Sequence, residues 1–419
     1  MLLLNHCVIL ATTMLLSLTN LGLGWWTYNT FLASGGAIGL CYVLARVVRR
    51  RRGARRQATG IQVPAAPRPR LKSAAGPVDP SDTAGLVEQM LAQGRFALLL
   101  RPQIADNLSD VHYRHTLETL QEAMALVPDG EVVVGRIDQA LDDGKLNDDE
   151  INSAQGRVVR VQRFFLDRYP VTNRQFYEFV AAGGYQQVSL WDRSIWPAVL
   201  DMVDRTGLPG PRFWQDGCFL SGEDDHPVVG VSWYEASAYA RWIGTRLPSD
   251  AEWAKAGSWP VPLSATSRIQ RKYPWGENMD RTRCNLWGSG PNRVVSVHEF
   301  AEGVSVGGVY QLTGNVWEWT SANFRAGDHP SGDLVLPTPM KSIRGGAFDT
   351  YFDNQATCQF QSGESPLGRR HNIGFRCAVG VGDLALARSA AAGVGPEAGA
   401  PPAPQADETE APLAEEVHA

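Results

Sequence analysis

The chain has 419 residues, of which 44% are hydrophobic, and a formal net charge of −5 at pH 7. This length exceeds one ordinary domain, and the hydrophobic fraction is enough to form a core. The mild negative charge argues against a nucleic-acid-binding protein, because such proteins concentrate positive charge on one face.

Two apolar runs lie near the N-terminus, at residues 8–24 and 31–48. Each approaches the roughly 20 residues that span a bilayer, and the WWTYNT stretch between them is typical of a membrane interface. The sequence predicts a membrane anchor over residues 1–52 that consists of two transmembrane helices. One long or re-entrant segment is the alternative. The arginines that follow residue 48 predict that the rest of the chain lies in the cytoplasm, by the positive-inside rule.

The composition then changes twice. Residues 53–80 repeat Ala, Pro and Arg, which is typical of a flexible linker. Residues 81–123 form a predicted helical segment, because apolar residues recur at helical spacing over 84–100 and 107–126.

The second of these helical stretches carries His112, His115 and Glu118 at intervals of three residues. This spacing allows the three side chains to share one face of a helix. A metal site is one interpretation of the pattern, and a solvated polar face is the default one.

From residue 124 onwards, short β-like runs such as EVVVG and RVVRVQRFFL alternate with turn residues, and helical patterns recur at 173–182 and 233–244. Thirteen tryptophans, most of them between Trp191 and Trp319 and several beside Gly or Pro, favour an irregular core built from aromatic rings. We therefore expect a single α+β domain over residues 124–380. The Ala- and Pro-rich acidic tail, residues 381–419, is predicted to be disordered.

Two helix starts are marked by capping boxes, in which a serine and a glutamate three residues later satisfy each other's backbone N–H groups. Ser232 and Glu235 form the first, and Ser249 and Glu252 form the second. Gly244 stands where a C-terminal cap glycine belongs.

Five stretches, taken together, resemble the formylglycine-generating enzyme family, also called the sulfatase-modifying-factor domain. They are LDRYPVTNRQFYEFV, HPVVGVSWYEASAYARWIGTRLPSDAEWAKA, YPWGENMDRTRCNLWGSGPNRVVSV, GGVYQLTGNVWEWT and RGGAF…NIGFRCA. The resemblance covers about 250 residues and is specific because the motifs occur in combination. It implies a variant of the C-type-lectin-like fold with little regular secondary structure.

Active members of this family oxidise a substrate cysteine with two thiolates that hold copper(I), a soft metal that prefers sulfur. The resemblance puts these thiolates in the region from Phe348 to Thr350 and at Asp353. No cysteine stands at either place. We therefore do not expect copper, and we expect the family's cysteine oxidation to be missing.

The resemblance also implies calcium in the GNVWEW turn, because calcium takes six to eight oxygen ligands. Its ligands correspond to the side chains of Gln311 and Glu318 and to the backbone oxygens of Gly314 and Val316. Alternatively, Glu318 caps a turn between the two tryptophans that flank it. A second, weaker family site corresponds to Asn285 and the carbonyl after it, and the loop that completes that site is shorter here.

Cys358 and Cys377 match positions that form structural disulfides in secreted relatives. Their partner positions hold Ala240 and Gly257, so these disulfides cannot form. Both thiols are predicted to be free and buried as small hydrophobes, which agrees with a cytoplasmic location.

Polar residues around the missing thiolates are candidates for lining a ligand groove, with a solvated loop as the alternative. The candidates are Asp349, Asp353, Gln361, Arg369 and His371. Asp353 and His371 are the pair with acid–base or metal-binding chemistry.

These observations favour a membrane-anchored binding or scaffolding module for a peptide, a protein or a small molecule. The alternatives are an oxidoreductase of this family with altered metal chemistry and, ranked last, a genuine protein-cysteine oxidase. Fold by itself does not decide among them.

Overall fold

The structure is a computed structural model, and the residues it describes are 73, 76, 78, 79, 81–135, 145–147, 156–264, 267–324 and 339–387. All of them belong to one compact unit, Arg70–Ala419. The predicted membrane anchor, most of the predicted linker and the tail beyond residue 387 lie outside the described residues. Among the helices that are described, none has the length and apolarity needed to cross a membrane.

The helical segment contains four helices, which are α1 (Thr83–Ala92), α2 (Phe96–Leu99), α3 (Pro102–Ala105) and α4 (Asp110–Ala123). The stretch predicted as one helix over 84–100 is interrupted at Gly94, whose φ of 72° ends α1. Helix α4 begins after Ser109, whose side chain accepts a hydrogen bond from the His112 amide. It ends three residues earlier than predicted, because Met124 enters a strand.

The strands are β1 (Met124–Val127), β2 (Gly130–Val134), β3 (Lys145–Asn147), β4 (Arg157–Val161), β5 (Phe164–Asp167), β6 (Val261–Pro262), β7 (Ser267–Ile269), β8 (Trp317–Phe324), β9 (Met340–Arg344), β10 (Ser362–Glu364), β11 (Ile373–Phe375) and β12 (Ala378–Gly380). They form small sheets in the orders β1-β5-β12, β10-β9-β8-β11, β2-β4 and β3-β7-β6. All the pairings are antiparallel except β11 with β8. This parallel pair aligns Gly374 with Glu318 and so joins the GFR motif to the GNVWEW motif.

The remaining helices are α5 (Asn173–Ala181), α6 (Trp196–Val199), α7 (Trp233–Ile243) and α8 (Asp250–Ser258). Both predicted capping boxes are confirmed, at Ser232 with Glu235 before α7 and at Ser249 with Glu252 before α8. Gly244 ends α7 in the left-handed conformation, with φ at 85°. The local sequence signals therefore set the starts of α7 and α8 and the C-terminal end of α7.

Aromatic rings from α5, α7 and β11 form the centre of the main core, as the composition predicts. The Phe176 ring stacks on Tyr239 at 5.4 Å and meets Phe375 edge-on at 6.2 Å. A second cluster packs the helical segment onto the strands through Leu100, Phe165 and Val379. The helical segment and the α+β part thus share one continuous packing surface.

Candidate functional site

The GNVWEW turn folds tightly against the segment around Asn285. Gln311 and Asn315 both adopt left-handed backbone conformations, with φ of 52° and 66°. The Asn315 side-chain amide donates to Gln311 Oε1 at 2.7 Å. A Cβ on Gly314 would come within 2.6 Å of the Asn285 carbonyl oxygen, so this position requires glycine.

Glu318 lies at the end of this turn and is almost fully buried. Its carboxylate forms a bidentate ion pair with Arg376, with two N–O distances of 2.7 Å. The indole of Trp253 also donates to Glu318 Oε2, at 2.8 Å. Arg376 in turn donates to backbone carbonyls of Asp167 and Tyr310. This pair ties the two family motifs to α8 and β5 in a single buried network.

The residues predicted to hold calcium do not fit that ion as they are arranged here. Both Glu318 oxygens accept hydrogen bonds from a guanidinium, whose positive charge opposes a second cation. Gln311 directs its Nε2, a donor, at the carbonyls of Ser296 and Glu299. The Gly314 carbonyl accepts the Val316 amide. The calcium site therefore stays a prediction, and an ion there would have to displace Arg376.

Asn285, the predicted centre of the weaker calcium site, is fully buried. Its Nδ2 donates to the Arg293 carbonyl and to Asn315 Oδ1, while its Oδ1 has no hydrogen-bond partner within the described part of the chain. The neighbouring Leu286 carbonyl already accepts from the Ser289 hydroxyl. One open oxygen is far from the six to eight ligands that calcium takes.

The residues predicted to stand in place of the family's thiolates make contacts within the domain. Phe348 is buried and its ring contacts His371 at 5.7 Å. The Thr350 hydroxyl accepts the Ala347 amide at 2.8 Å. The Asp353 carboxylate forms an ion pair with Arg281. None of these residues carries a thiol, the ligand that copper(I) prefers, and the absence of copper stays a prediction.

The four cysteines that the structure describes are free, and three of them are buried: Cys284, Cys358 and Cys377. Burial raises the pKa of the Cys284 thiol to about 12 and the pKa values of Cys358 and Cys377 above their usual range. Thiols held in the protonated form are poor nucleophiles and poor metal ligands. They act as small hydrophobes.

Cys358 lies directly against the helix that would supply its partner in a secreted relative. A Cβ built on Gly257 would sit 2.8 Å from Cys358 Sγ. Cys377 and Ala240 belong to the same buried cluster. The contacts agree with the partner positions that the resemblance implies, while the second sulfur of each pair is absent from the sequence.

The predicted groove residues lie in four separate environments, one of which holds Arg369 alone. His371 Nε2 lies 3.5 Å from Asp349 Oδ2, and Asn372 donates to both oxygens of that carboxylate. Gln361 donates to Asp250 inside a network with Arg344. The interpretation of Asp353 and His371 as a pair is not what the geometry shows, because Asp353 pairs with Arg281 and His371 with Asp349.

Arg369 is nearly buried and holds the framework together. Its guanidinium donates to the carbonyls of Val203 and Gly230 and to the Glu235 carboxylate. With a further bond to the Gly210 carbonyl, four hydrogen bonds to protein atoms leave it little capacity for a ligand. Arg369 therefore has a structural role, in which it joins the segments around Val203, Gly230 and Glu235.

A feature that the sequence reasoning missed is an exposed aromatic patch, formed by Trp287, Tyr351 and Phe352, which are 48%, 64% and 59% exposed. Arg281 joins the two segments that form the patch, because its guanidinium donates to the carbonyls of Trp287 and Tyr351. The only hint in the sequence is the YF pair that precedes Asp353. The placement of Tyr351 depends on a tertiary contact, because Arg281, which donates to its carbonyl, lies 70 positions away in the sequence.

An open groove of about 800 Å³ adjoins this patch, because its lining includes Arg281, which donates to the patch backbone, and Asp353, which follows Phe352 in the sequence. The stacked rings of Tyr273 and Trp275, 5.6 Å apart, support one side of it. Burial and the nearby Asp353 carboxylate raise the pKa of Tyr273 to about 12, so its hydroxyl keeps its proton. The groove offers polar and aromatic surface for binding but no thiolate.

The histidines on α4 contact single carboxylates. His112 Nε2 lies 3.7 Å from Glu88, and His115 lies 4.0 Å from Glu118. Over the described ranges, no three His, Cys, Asp or Glu side chains gather as a metal site would require.

Comparison with known proteins gives one family and several relatives. A family model described as the sulfatase-modifying factor enzyme 1-like domain matches residues 112–381. A hercynine oxygenase of Mycobacterium tuberculosis is 38% identical over 183 residues, which are 42% of this chain and 41% of that protein. The chain thus spans less than half the length of that relative.

Two further relatives are covered over most of their length. A formylglycine-generating enzyme of Thermomonospora curvata is 32% identical, over 53% of this chain and 84% of that protein. An inactive C-alpha-formylglycine-generating enzyme 2 of Bos taurus is 31% identical, over 54% of this chain and 80% of that protein. With the family model matching more than half of its residues, the chain belongs to the sulfatase-modifying factor enzyme 1-like, or formylglycine-generating enzyme-like, domain family.

Proposed function

We propose that this chain is a binding module of its family, which holds a peptide segment of a partner protein on the surface around Asp353 and does not oxidise cysteine. The observation that carries the proposal is the replacement of both thiolate positions. Thr350 uses its hydroxyl to close a backbone turn, and Asp353 is paired with Arg281. The similarity to a relative named as inactive agrees with it.

The aromatic patch supports binding of a peptide. Exposed apolar side chains that form a contiguous patch mark interaction sites, and Trp, Tyr and Arg dominate the binding energy at such sites. Tyr351 and Phe352 lie edge-to-face at 5.1 Å. Arg281 fixes the backbone beneath them, so little conformational entropy is lost when a partner binds.

Selection from a random-peptide display library against the full chain tests this function. We expect enriched peptides whose affinity falls at least about tenfold, or about 1.4 kcal/mol, in the double variant Tyr351→Ala/Phe352→Ala. Fluorescence anisotropy with labelled peptides measures the affinities. Leu200→Ala is the matched control, because Leu200 is an exposed apolar residue that is not part of the patch.

Two outcomes contradict the peptide-binding proposal. One is the absence of any enriched peptide. The other is an unchanged affinity of every selected peptide for the double variant, which would put binding on another surface.

The absence of cysteine oxidation has its own assay. The full chain, loaded with copper(I), is incubated with a sulfatase-type CxPxR peptide and oxygen. We expect the peptide mass to stay unchanged, because two adjacent thiolates are required to hold copper(I). Conversion of the peptide cysteine to formylglycine would overturn this part of the proposal.

The second candidate function is an oxidoreductase with different metal chemistry, which the 38% identity to a hercynine oxygenase favours. Metal analysis of the full chain as isolated separates the two candidates. Calcium alone agrees with a binding module. One equivalent of iron or copper per chain would favour the oxidoreductase.

We also propose that residues 1–52 anchor the chain in a membrane and that the family domain faces the cytoplasm. The apolar runs and the arginines after them support this topology. Free thiols at Cys358 and Cys377 are compatible with a reducing compartment. A reporter that works only in the cytoplasm should be active when it is fused after residue 60. Activity of a reporter that works only in the periplasm or outside the cell would reverse the orientation.

A further inference from the structure

A second cavity, of about 420 Å³, shares no lining residue with the groove beside Asp353. It lies between the β2–β4 pair and the C-terminal end of α8, and it is within the volume range of small-molecule sites. Its lining mixes apolar rings with charged side chains. We name it the Lys255 cavity, after the residue at its base.

Lys255 is only 4% exposed and is carried by the last turn of α8. Its Nζ lies 3.1 Å from where a Cβ on Gly130 would be, and both residues line the cavity. Within the described part of the chain, its ammonium group makes no hydrogen bond and no ion pair within 4 Å. Nζ is not one of the fully buried polar atoms that lack a partner, so the ammonium opens onto the cavity while its stem is buried.

The electrostatics of Lys255 reflect this missing partner. Burial lowers the pKa of Lys255, and the Asp129 carboxylate only partly offsets that effect. Asp129 is itself exposed. An anion that entered the cavity would supply the charge that the protein does not place beside Nζ.

Part of the cavity lining is apolar. It consists of the Trp259 indole with Pro128, Pro260 and Pro262. The Trp259 indole packs directly on Gly307, since a Cβ at position 307 would come within 2.3 Å of the ring. A rigid ring wall suits a planar ligand group, since stacking then needs no rearrangement.

Among the described residues that line the cavity, there is one more positive than negative charge. Lys255, Arg160 and Arg268 are the cations, and Asp129 and Glu131 are the anions. Glu131 lies 3.8 Å from Arg268, so those two balance each other. A ligand with a single negative charge would neutralise the remainder.

From this geometry we propose that the Lys255 cavity binds a small organic carboxylate with a flat apolar group. The carboxylate meets the Lys255 ammonium, and the flat group packs against Trp259 and the prolines. This site is independent of the peptide-binding function proposed above, and neither depends on the other.

Binding of 1-naphthoate to the full chain, followed by the fluorescence of the ligand, tests the proposal. Its neutral counterpart 1-naphthamide has the same ring and no charge. We expect saturable binding of naphthoate with one site per chain and an affinity about tenfold lower for naphthamide. In Lys255→Met, which keeps an apolar stem of similar length, naphthoate should bind about tenfold more weakly, and naphthamide should be unaffected.

Lys341→Met is the matched control. Lys341 also lies over a tryptophan ring, with its Nζ 4.1 Å from the Trp233 centroid, and it does not line the cavity. This variant should bind naphthoate like the unmodified chain. Circular dichroism melting of each variant shows whether the fold is retained.

Arg160→Gln keeps the proposal testable if Lys255→Met fails to fold. Arg160 is exposed on β4 and lines the cavity, and its loss should weaken naphthoate binding about threefold. The proposal is overturned by the absence of saturable naphthoate binding. Equal affinities for naphthoate and naphthamide would also overturn it. So would a naphthoate affinity that is unchanged in whichever of Lys255→Met and Arg160→Gln retain the fold.

Discussion

At the scale of single residues, the Glu318–Arg376 pair is the interaction that joins the two most specific motifs of the family. Both side chains are at most 1% exposed, and every hydrogen-bonding atom of the Glu318 carboxylate is used. A pair buried this deeply is strongly destabilising when one partner is removed, because the other charge is left in the interior.

Arg376→Met is expected to lower the free energy of unfolding by about 3–5 kcal/mol, measured by urea denaturation. The control is Arg370→Met, which removes the exposed Arg370–Glu364 pair and should cost at most about 1 kcal/mol. Equal losses in the two variants would mean that burial does not set the strength of the Glu318 pair.

Cys358 provides a second test at this scale, because its missing disulfide partner can be restored. The 3.6 Å between the Cys358 Cβ and a Cβ at position 257 suits the Cβ–Cβ separation of a disulfide, roughly 3.8 Å. We expect Gly257→Cys to form a disulfide with Cys358 under oxidising conditions and to raise stability by about 4 kcal/mol, since the bond closes a loop of about 100 residues.

Thiol titration and the melting temperature with and without reductant measure this effect. Gly257→Ser is the control, because it introduces a similar volume without a second sulfur. Two thiols that remain titratable in the oxidised variant would show that α8 and Cys358 are not aligned as described.

At the scale of elements, α7 and α8 depend on capping boxes that are visible in the sequence. Ser232 accepts the Glu235 amide, and the Glu235 carboxylate accepts the Ser232 amide at 2.7 Å. The same carboxylate also accepts the Tyr185 hydroxyl and the Arg369 guanidinium. The capping box is therefore part of a tertiary hydrogen-bond network, and the local sequence does not predict the partners in that network.

Ser232→Ala is expected to lower the free energy of unfolding by about 1 kcal/mol, because one amide of α7 loses its acceptor. Ser321→Ala, at an exposed position of β8, should change it by less than about 0.5 kcal/mol. Thermal melting of the two variants gives the comparison. A cost for Ser321→Ala as large as that for Ser232→Ala would argue against the cap as the cause.

At the scale of the whole molecule, Asp167 makes stability depend on pH. It ends β5, and its carboxylate accepts the Cys377 amide at 2.8 Å. Burial raises the pKa of Asp167 to about 7, above the value of 3.8 expected for an exposed carboxyl group. The folded state therefore holds this proton to a higher pH than the unfolded state does.

The sign of the effect follows from linkage. Because the folded state binds more protons between about pH 4 and pH 7, the contribution of Asp167 to stability falls as the pH rises through this window, by up to about 1.4 kcal/mol per pH unit. It is constant above that window. Asp167→Asn should remove this slope, which urea midpoints at several pH values measure. Parallel pH profiles for the variant and the unmodified chain would contradict the assignment.

Much of the fold follows from local chemistry that can be read along the chain. Capping residues set the starts of α7 and α8, and the order of the motifs indicates the family. The prediction that both thiolate positions are replaced also comes from the sequence, because it concerns which residue stands at a fixed place in a motif. These features depend on neighbours within a few residues of one another.

Which side chains meet was decided by the tertiary structure. Asp349 rather than Asp353 lies beside His371, and Asp353 pairs with Arg281, 72 residues away. The aromatic patch and the unpaired ammonium of Lys255 arise in the same way, from segments brought together by the core. Burial and pairing are properties of three-dimensional proximity. The sequence by itself therefore determined the family and the absence of cysteine at positions 348–350 and 353, while only the folded chain determined the surfaces available for binding.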